Sequence, residues 1–414
     1  MKKSLLSLSL LAIIASSSAS AMDKVSDENS LNFAIEAANS DSSIHEIVFN
    51  RKAHIVLSEP AIYTGTQSLR LVGNGAVIDG ANVGERTDYT DPEEGTVTVK
   101  TTDGTLMFNT AANISIDNLS VVNSYTRGVV VSIPSDATGK DINVTLTRVQ
   151  ILNSGLYGLH LDDNDNEFDN GDTGSAIGIN LSIKNSKFIN NGTDAIDFDG
   201  IRVDERSEGG ITANIIRTEI SGNGGDGIEL DEAGNGDVKA TMISVNLMNN
   251  GAQNPEDLDD AFDIDEAGEG DLDVNLVNVN LSGNQDQGLD FDEEDEGSVN
   301  ALLYRVKSTN NVGEAVKIDE EDDGDLNIFA SNLTVTNTDD DGVQITEIGK
   351  GVIQATFDDV KVKNSKKYGV KIEQWLVEDE ESQAEEQGSV QLRNVKLENN
   401  GKGDDLKLNG VTTN

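Results

Sequence analysis

The sequence contains no cysteine, only 4 prolines, 3 histidines and 4% aromatic residues. Without cysteine there is neither a disulfide framework nor a thiolate metal centre, so stability has to come from packing, backbone ladders or bound ions. So few histidines argue against an imidazole site for zinc or copper. Positive charge is scarce as well: 30 Lys and Arg stand against 75 Asp and Glu, a formal net charge of -45. A surface of that sign repels nucleic acid and anionic membranes and attracts cations. Beyond the N-terminus no apolar run approaches the ~20 residues of a membrane span.

What is present begins with a secretory signal over residues 1–21. Lys2 and Lys3 form a basic start, Leu5 to Ala15 an apolar core, and Ala19-Ser20-Ala21 a small-residue cleavage site. The expectation is an exported monomer, periplasmic or extracellular, with residues 22–103 as an N-terminal cap with irregular first coils and residues 104–414 as repeats.

The repeat is the main signal. A short alternating phrase opens at Gly288 (GLDFDE), Ala315 (AVKIDE), Gly342 (GVQITE) and Gly369 (GVKIEQ), each 27 residues after the last. The same phrase is read upstream at Gly128, Gly158, Ala195 (AIDFDG), Gly227 (GIELDE) and Ala261 (AFDIDE). Second and fourth residues are apolar, third and fifth polar, which is the period of a strand with one buried face. A second strand precedes it (VQILN, SKFIN, VNLMN), and a third follows a Gly turn at Gly270, Gly297, Gly324 and Gly351. Three short strands per period with no helix between them predict an all-β solenoid, a right-handed parallel β-helix rising ~4.8 Å per coil. An Asn column, Asn123, Asn153, Asn190, Asn310, Asn337, Asn364 and Asn400, marks one bend, where Asn tolerates left-handed backbone and bonds its copies.

Residues 30–39, SLNFAIEAAN, read as a short amphipathic capping helix, followed by HEIVFN, IVLSEPAIYTG and LRLVGNGAVIDGAN. This opening resembles that of secreted bacterial right-handed β-helix proteins of the CSLREA, pectate-lyase-like group, although the leading Cys and the Arg-Glu of that group's name motif are missing. The resemblance covers residues 30 to 135 by motif. It implies the fold; the group's activities span lyases, hydrolases and adhesins.

The fifth residue of the phrase is acidic in six coils: Asp162, Asp199, Asp231, Asp265, Asp292 and Asp319. The third is acidic in four: Asp197, Glu229, Asp263 and Asp290. On an outward strand face these predict two adjacent carboxylate columns, extended by Glu232, Glu266, Glu293 and Glu320 at the next position. Neighbouring charges ~5 Å apart repel by roughly 3 kcal/mol at an effective dielectric of 20, so relief must come from protons, salt or a bound cation. Hard oxygen ligands suit Ca²⁺. The ten carboxylates in these two columns are therefore candidate metal ligands; a solvated acidic face of a salt-adapted protein is the competing reading. Turns at Gly234–Asp237, Gly268–Asp271 and Asp322–Asp325 are read as turn formers, and the insert after Asp162 as a weak ligand loop.

The functional expectation is a non-catalytic binding or surface-matrix protein with Ca²⁺ along the ladder and polysaccharide or cell-surface matrix as a further partner. The alternative is a Ca²⁺-dependent lyase, a hydrolase or an epimerase of acidic polysaccharide using His160, Asp197, Asp199 and Arg202. His160, at an outward strand position, reads as a plain surface residue.

Overall fold

A computed structural model describes residues 24–90, 97–163, 173–253, 258–377, 387–402 and 406–413. The expected signal segment and the insert following Asp163 lie outside the described residues.

Stacking of the three-strand repeat produces a right-handed parallel β-helix. In a typical coil the strands are Leu272–Val277, Asn280–Ser282 and Asp290–Asp295, and each pairs in parallel with its copy one coil on. We call the three walls so formed the first, second and third faces. The third is a ladder of 12 strands; the first two are continuous because Leu69–Asp79 and Ile114–Val122 run through both.

Inward positions stack like on like. Ile228, Phe262, Leu289, Val316 and Val343 form one fully buried column of the third face, and Leu230, Ile264, Phe291, Ile318 and Ile345 the next. No aromatic-rich globular core is needed when every coil buries its apolar side chains on those above and below. Helix α1 (Glu28–Ser40) closes the N-terminal end, burying Leu31, Ala34, Ile35 and Ala38. A reciprocal capping box, Asp27 with Ser30, satisfies its first turn.

The bend between second and third faces carries two Asn columns where one was expected. The outer, left-handed one includes Asn123, Asn153, Asn190, Asn310, Asn337 and Asn364, linked by side-chain amide bonds of 2.7–3.3 Å. Its last member is Asn399, with φ 58°; Asn400 belongs instead to a buried column with Asn191, Asn223, Asn250, Asn284 and Asn311. From Asn191 to Asn284 each Nδ2 donates to the next Oδ1 at 3.0–3.1 Å, and Asn311 Nδ2 turns to Ser308 Oγ at 2.7 Å. The Asn-Asn doublets at 190, 249, 310 and 399 carried this signal.

One strand lies elsewhere than expected. In the coil after Gly158 the third-face strand is Ile201–Glu205, and Arg202 and Asp204, not Asp197 and Asp199, pair with Glu229 and Asp231. The phrase GIRVDE starting at Gly200 fits the repeat, 27 residues before Gly227. A Cβ at Gly200 would stand 2.5 Å from the Asn223 amide and 2.7 Å from the Gly227 carbonyl, the crowding that favours Gly in this coil. Ala195 instead packs outside the coil with Leu156 and Phe198. An antiparallel hairpin, Thr87–Thr90 with Val97–Lys100, leans on this loop through Arg86–Asp194 (2.9 Å) and Thr98 to the Ile196 carbonyl (3.2 Å).

The sixth position of the phrase turns inward. Glu205, Glu232, Glu266, Glu293, Glu320 and Glu347 are in register, at most 1% exposed, and Gln374 completes the column. Glu232, Glu266, Glu293 and Glu320 therefore do not extend the outer carboxylate face, because two positions on from an inward side chain is again inward. Beneath them lie the turn glycines: Glu205 accepts from Gly209 N and Glu232 from Gly236 N, both at 3.1 Å. As carboxylates, Glu266, Glu293, Glu320 and Glu347 have no donor for either oxygen. A proton on each makes it a donor to its neighbour, and burial, with nearby carboxylates behind it, pushes these groups up to about 8 or 9.

Candidate functional site

The outward residues of the third face begin at a buried polar chain. His160 is only 3% exposed, under the Tyr157 ring (centroids 4.6 Å apart), and is not a surface residue. Arg127 lies 3.0 Å from its Nδ1 and can only donate, so Nε2 carries the hydrogen and donates to Asp204 at 2.8 Å. With both nitrogens engaged, His160 orients Asp204 rather than offering a base. Asp163 is likewise enclosed, accepting from Ser175 N, Ser175 Oγ and Arg206 N at 2.8–3.0 Å.

Arg202 is the hub of this end. It reaches Asp204 and Asp231 at 2.7 Å, touches Glu229, and stands 3.9 Å from Asp199. Burial alone would lower its pKa; Asp204, Glu229 and Asp231 reverse this and hold it firmly protonated. It is a counter-ion, unsuited to the base of a lyase. Arg206 adds a bond of 2.6 Å to Asp231. Burial acts against the charge on Asp204, but Arg202 and His160 outweigh it and hold the carboxyl below its usual range.

Lys317 plays the same part four coils on, bridging Asp290 (2.9 Å), Asp292 (3.0 Å) and Asp319 (3.4 Å). The two columns are thus not uniform ladders. Asp231, Asp292 and Asp319 are paired with basic side chains, Asp162 lies buried above Asp204, and Asp197 sits in the preceding loop with φ 59°.

Between Arg202, which holds Glu229, and Lys317, which holds Asp290, lies a patch of carboxyl groups. Ligand oxygens of Asp199, Asp226 and Glu229 lie within 4.8 Å of one another; so do those of Glu229, Asp263 and Asp265, and of Asp260, Asp263 and Asp290. The triads share Glu229 and Asp263, so they form one continuous patch. Asp226 and Asp260 had escaped the sequence reading. They precede the opening Gly or Ala, as Asp199 does, in the recurrent Asp-Gly and Asp-Ala pairs at 199, 226 and 260. In this column Asp199 Oδ1 accepts from Asp226 N at 2.8 Å, Asp226 from Asp260 N, and Asp260 from Gln287 N at 2.5 Å. One oxygen ties down the next coil and the other is left for the patch. Asp199 Oδ2 is buried with no hydrogen-bond donor.

Crowding sets the electrostatics. Burial, then neighbouring carboxylates, raise Asp226, Asp260 and Asp263 well above the usual range. Glu229 is raised likewise by burial, with Arg202 acting against it. Burial pushes Asp199 and Asp265 up to about 6 and Asp290 up to about 8. Such a patch holds protons or a cation. A separate triad, Glu314, Asp340 and Asp341, is partly neutralised by Lys367, 2.6 Å from Asp340. The Gly-Asp turns are structural: Asp237, Asp271 and Asp325 accept from Asp271, Ser298 and Val352 amides of the next coil at 3.0–3.2 Å.

No protein-family model and no curated protein matches the chain. Among solved structures, a periplasmic alginate epimerase mutant matches with a TM-score of 0.47 and 12% identity over 94% of this chain and 82% of that one. The catalytic domain of a GH87 α-1,3-glucanase in complex with nigerose matches with a TM-score of 0.42 and 14% identity over 94% and 67%. Likeness at this level carries no chemistry to the present chain.

Proposed function

We propose that the protein is an exported β-helix that binds divalent cations, Ca²⁺ foremost, through Asp199, Asp226, Glu229, Asp260, Asp263, Asp265 and Asp290. The observation that carries this is the overlap of three carboxyl triads in a patch bounded, but not filled, by Arg202 and Lys317. Ca²⁺ takes six to eight oxygens at flexible geometry, and a patch spanning several coils of the third face brings several carboxylate oxygens within reach of one ion. Nitrogen and sulfur donors are absent from the triads, which disfavours zinc and copper. The raised pKa values make protons the competitor, so affinity should climb with pH.

The test is thermal unfolding at constant ionic strength. Calcium in the ~10⁻⁴–10⁻³ M range of extracellular modules should raise the melting temperature and saturate, by about 2.7 kcal/mol per site at a hundredfold excess over Kd. Asp263→Asn with Asp265→Asn should abolish that shift and raise stability in EDTA, since repulsion goes with the ligands. A melting temperature indifferent to calcium and EDTA, yet climbing smoothly with NaCl, contradicts the proposal.

A second reading, polysaccharide hydrolysis, rests on Asp199. Burial holds its carboxyl up to about 6 beside Glu229 and Arg202, at the Phe198–Tyr157 pair, and a proton donor near a second carboxylate is what glycoside hydrolysis requires. Release of reducing sugar from a polysaccharide panel, lost in Asp199→Asn at unchanged melting temperature, would establish it.

A further inference from the structure

The first face differs from the carboxylate-lined third face. Two of its three outward columns run in register from Asn143 and Thr145 to Ser389 and Gln391 over nine coils. Amides and hydroxyls fill these two almost entirely, with Lys239 and Asp273 the charged members; the third column, from Thr147 to Arg393, adds Lys184, Asp358 and Arg393. In a chain where 25% of residues are charged and the third face is lined with carboxylates, a surface strip of this length without a sustained charge of either sign is a segregated feature. Toward its C-terminal half the strip dips into an open groove of about 420 Å³, lined by Asn300, Leu302, Asn327, Phe329, Gln354 and Thr356 among others.

Phe329 is the anomaly in that groove. It points outward, 42% exposed, between Leu302 of the preceding coil and Thr356 of the next. Nothing in the coil requires an aromatic there, because the inward neighbours Ile328 and Ala330 already fill the core. Beside the ring the amides are held in line: Asn327 Nδ2 donates to Asn300 Oδ1 at 3.2 Å, and Asn300 Nδ2 to Asp273 Oδ1 at 3.0 Å. A flat apolar ring flanked by ordered amides and hydroxyls offers dispersion contact to one face of a ligand and both donors and acceptors to its edges.

We propose that this strip binds an extended neutral glycan, with Phe329 as the platform under one sugar ring. The hydroxyls of a neutral sugar both donate and accept, as Asn, Gln and Thr do, so no charge is needed on either side. A polyanion would find Lys239 within the strip and Lys184 and Arg393 at its edge, too few to offset repulsion by the net charge of -45. The proposal is independent of the cation centre, which lies on another face.

Affinity electrophoresis tests it on the full chain, with gels containing a β-1,3-glucan, a β-1,4-glucan, a mannan or an α-glucan, and alginate and pectate for comparison. At least one neutral glycan should retard the protein. Phe329→Ala should weaken that retardation tenfold or more, Phe329→Trp should retain it, and Gln354→Glu should reduce it, with melting temperature and calcium response unchanged in all three. Retardation by alginate or pectate alone, no retardation by any neutral glycan, or equal retardation of Phe329→Ala overturns the proposal. So does a wild-type dimer in sedimentation that Phe329→Ala converts to monomer, which would make the strip a subunit interface.

Discussion

Replacing Glu320 by Gln should flatten part of the protein's pH–stability profile. Glu320 is fully buried, stacked between Glu293 and Glu347, and faced by Asp322 and Asp325, so that every group raising its pKa is itself acidic. Two ionised carboxylates one coil apart would repel by roughly 3.5 kcal/mol at an effective dielectric of 20, so the column keeps its protons. Burial and Glu347 push Glu320 from its ordinary 4.5 up to about 9. Between those values the folded chain holds a proton that the unfolded chain has released, so rising pH favours unfolding. The contribution is fully present below about pH 4.5 and gone once pH passes 9. The slope is about 1.4 kcal/mol per pH unit for one retained proton. Sharing of protons along the column reduces this, and about 2 kcal/mol should be lost between pH 5.5 and 8. Gln keeps the shape and hydrogen-bonding capacity of the neutral acid, as Gln374 does in the same column, where it accepts from Ile353 N and donates to Gly351 O at 3.1 Å. Melting temperatures of wild type and Glu320→Gln should therefore coincide near pH 5 and diverge above pH 7, the variant melting higher by several degrees. Parallel profiles across that range would refute a protonated column.

Three further outcomes follow from the same geometry. Gly324→Ala should cost about 3 kcal/mol in denaturant unfolding, the upper end for overpacking, because its Cβ would overlap the Gly297 carbonyl and meet Glu320 Oε1 at 2.6 Å. Asn250→Ala removes the amide donor to Asn284 (3.0 Å) and the acceptor for Asn223 (3.0 Å), leaving buried partners unsatisfied at about 2–4 kcal/mol. Lys317→Gln should lower the melting temperature in EDTA and enlarge the calcium shift, since Asp290, Asp292 and Asp319 lose the cation that bridges them; an unchanged calcium response would show that Lys317 does not bound the patch.

The solenoid was legible because its information is periodic. Gly288, Ala315, Gly342 and Gly369 repeat at 27 residues, and a packing requirement that recurs in every coil leaves a column in the sequence. What was misread was local. AIDFDG at Ala195 and GIRVDE at Gly200 both satisfy the phrase, and only pairing with the Gly227 coil selects the second. The inward turn of Glu266 and Glu293 was hidden because an acid at an inward position looks like one more surface charge until its neighbours show that it is buried and protonated. Asp226 and Asp260 were overlooked because Asp-Gly reads first as a turn. The paired roles of Arg202 and Lys317 depend on side-chain reach across coils, which no spacing along the chain encodes.

The cation centre is tested most directly by a crystal grown with Ca²⁺, or with a lanthanide in its place, and measured for anomalous scattering. The expected result is an ion peak on the third face between Arg202 and Lys317, within about 2.3–2.6 Å of carboxylate oxygens from Glu229, Asp263 and Asp265 or their neighbours Asp226, Asp260 and Asp290. An anomalous map with no peak in that patch at saturating calcium, or with ions only along the exposed turns, would contradict it.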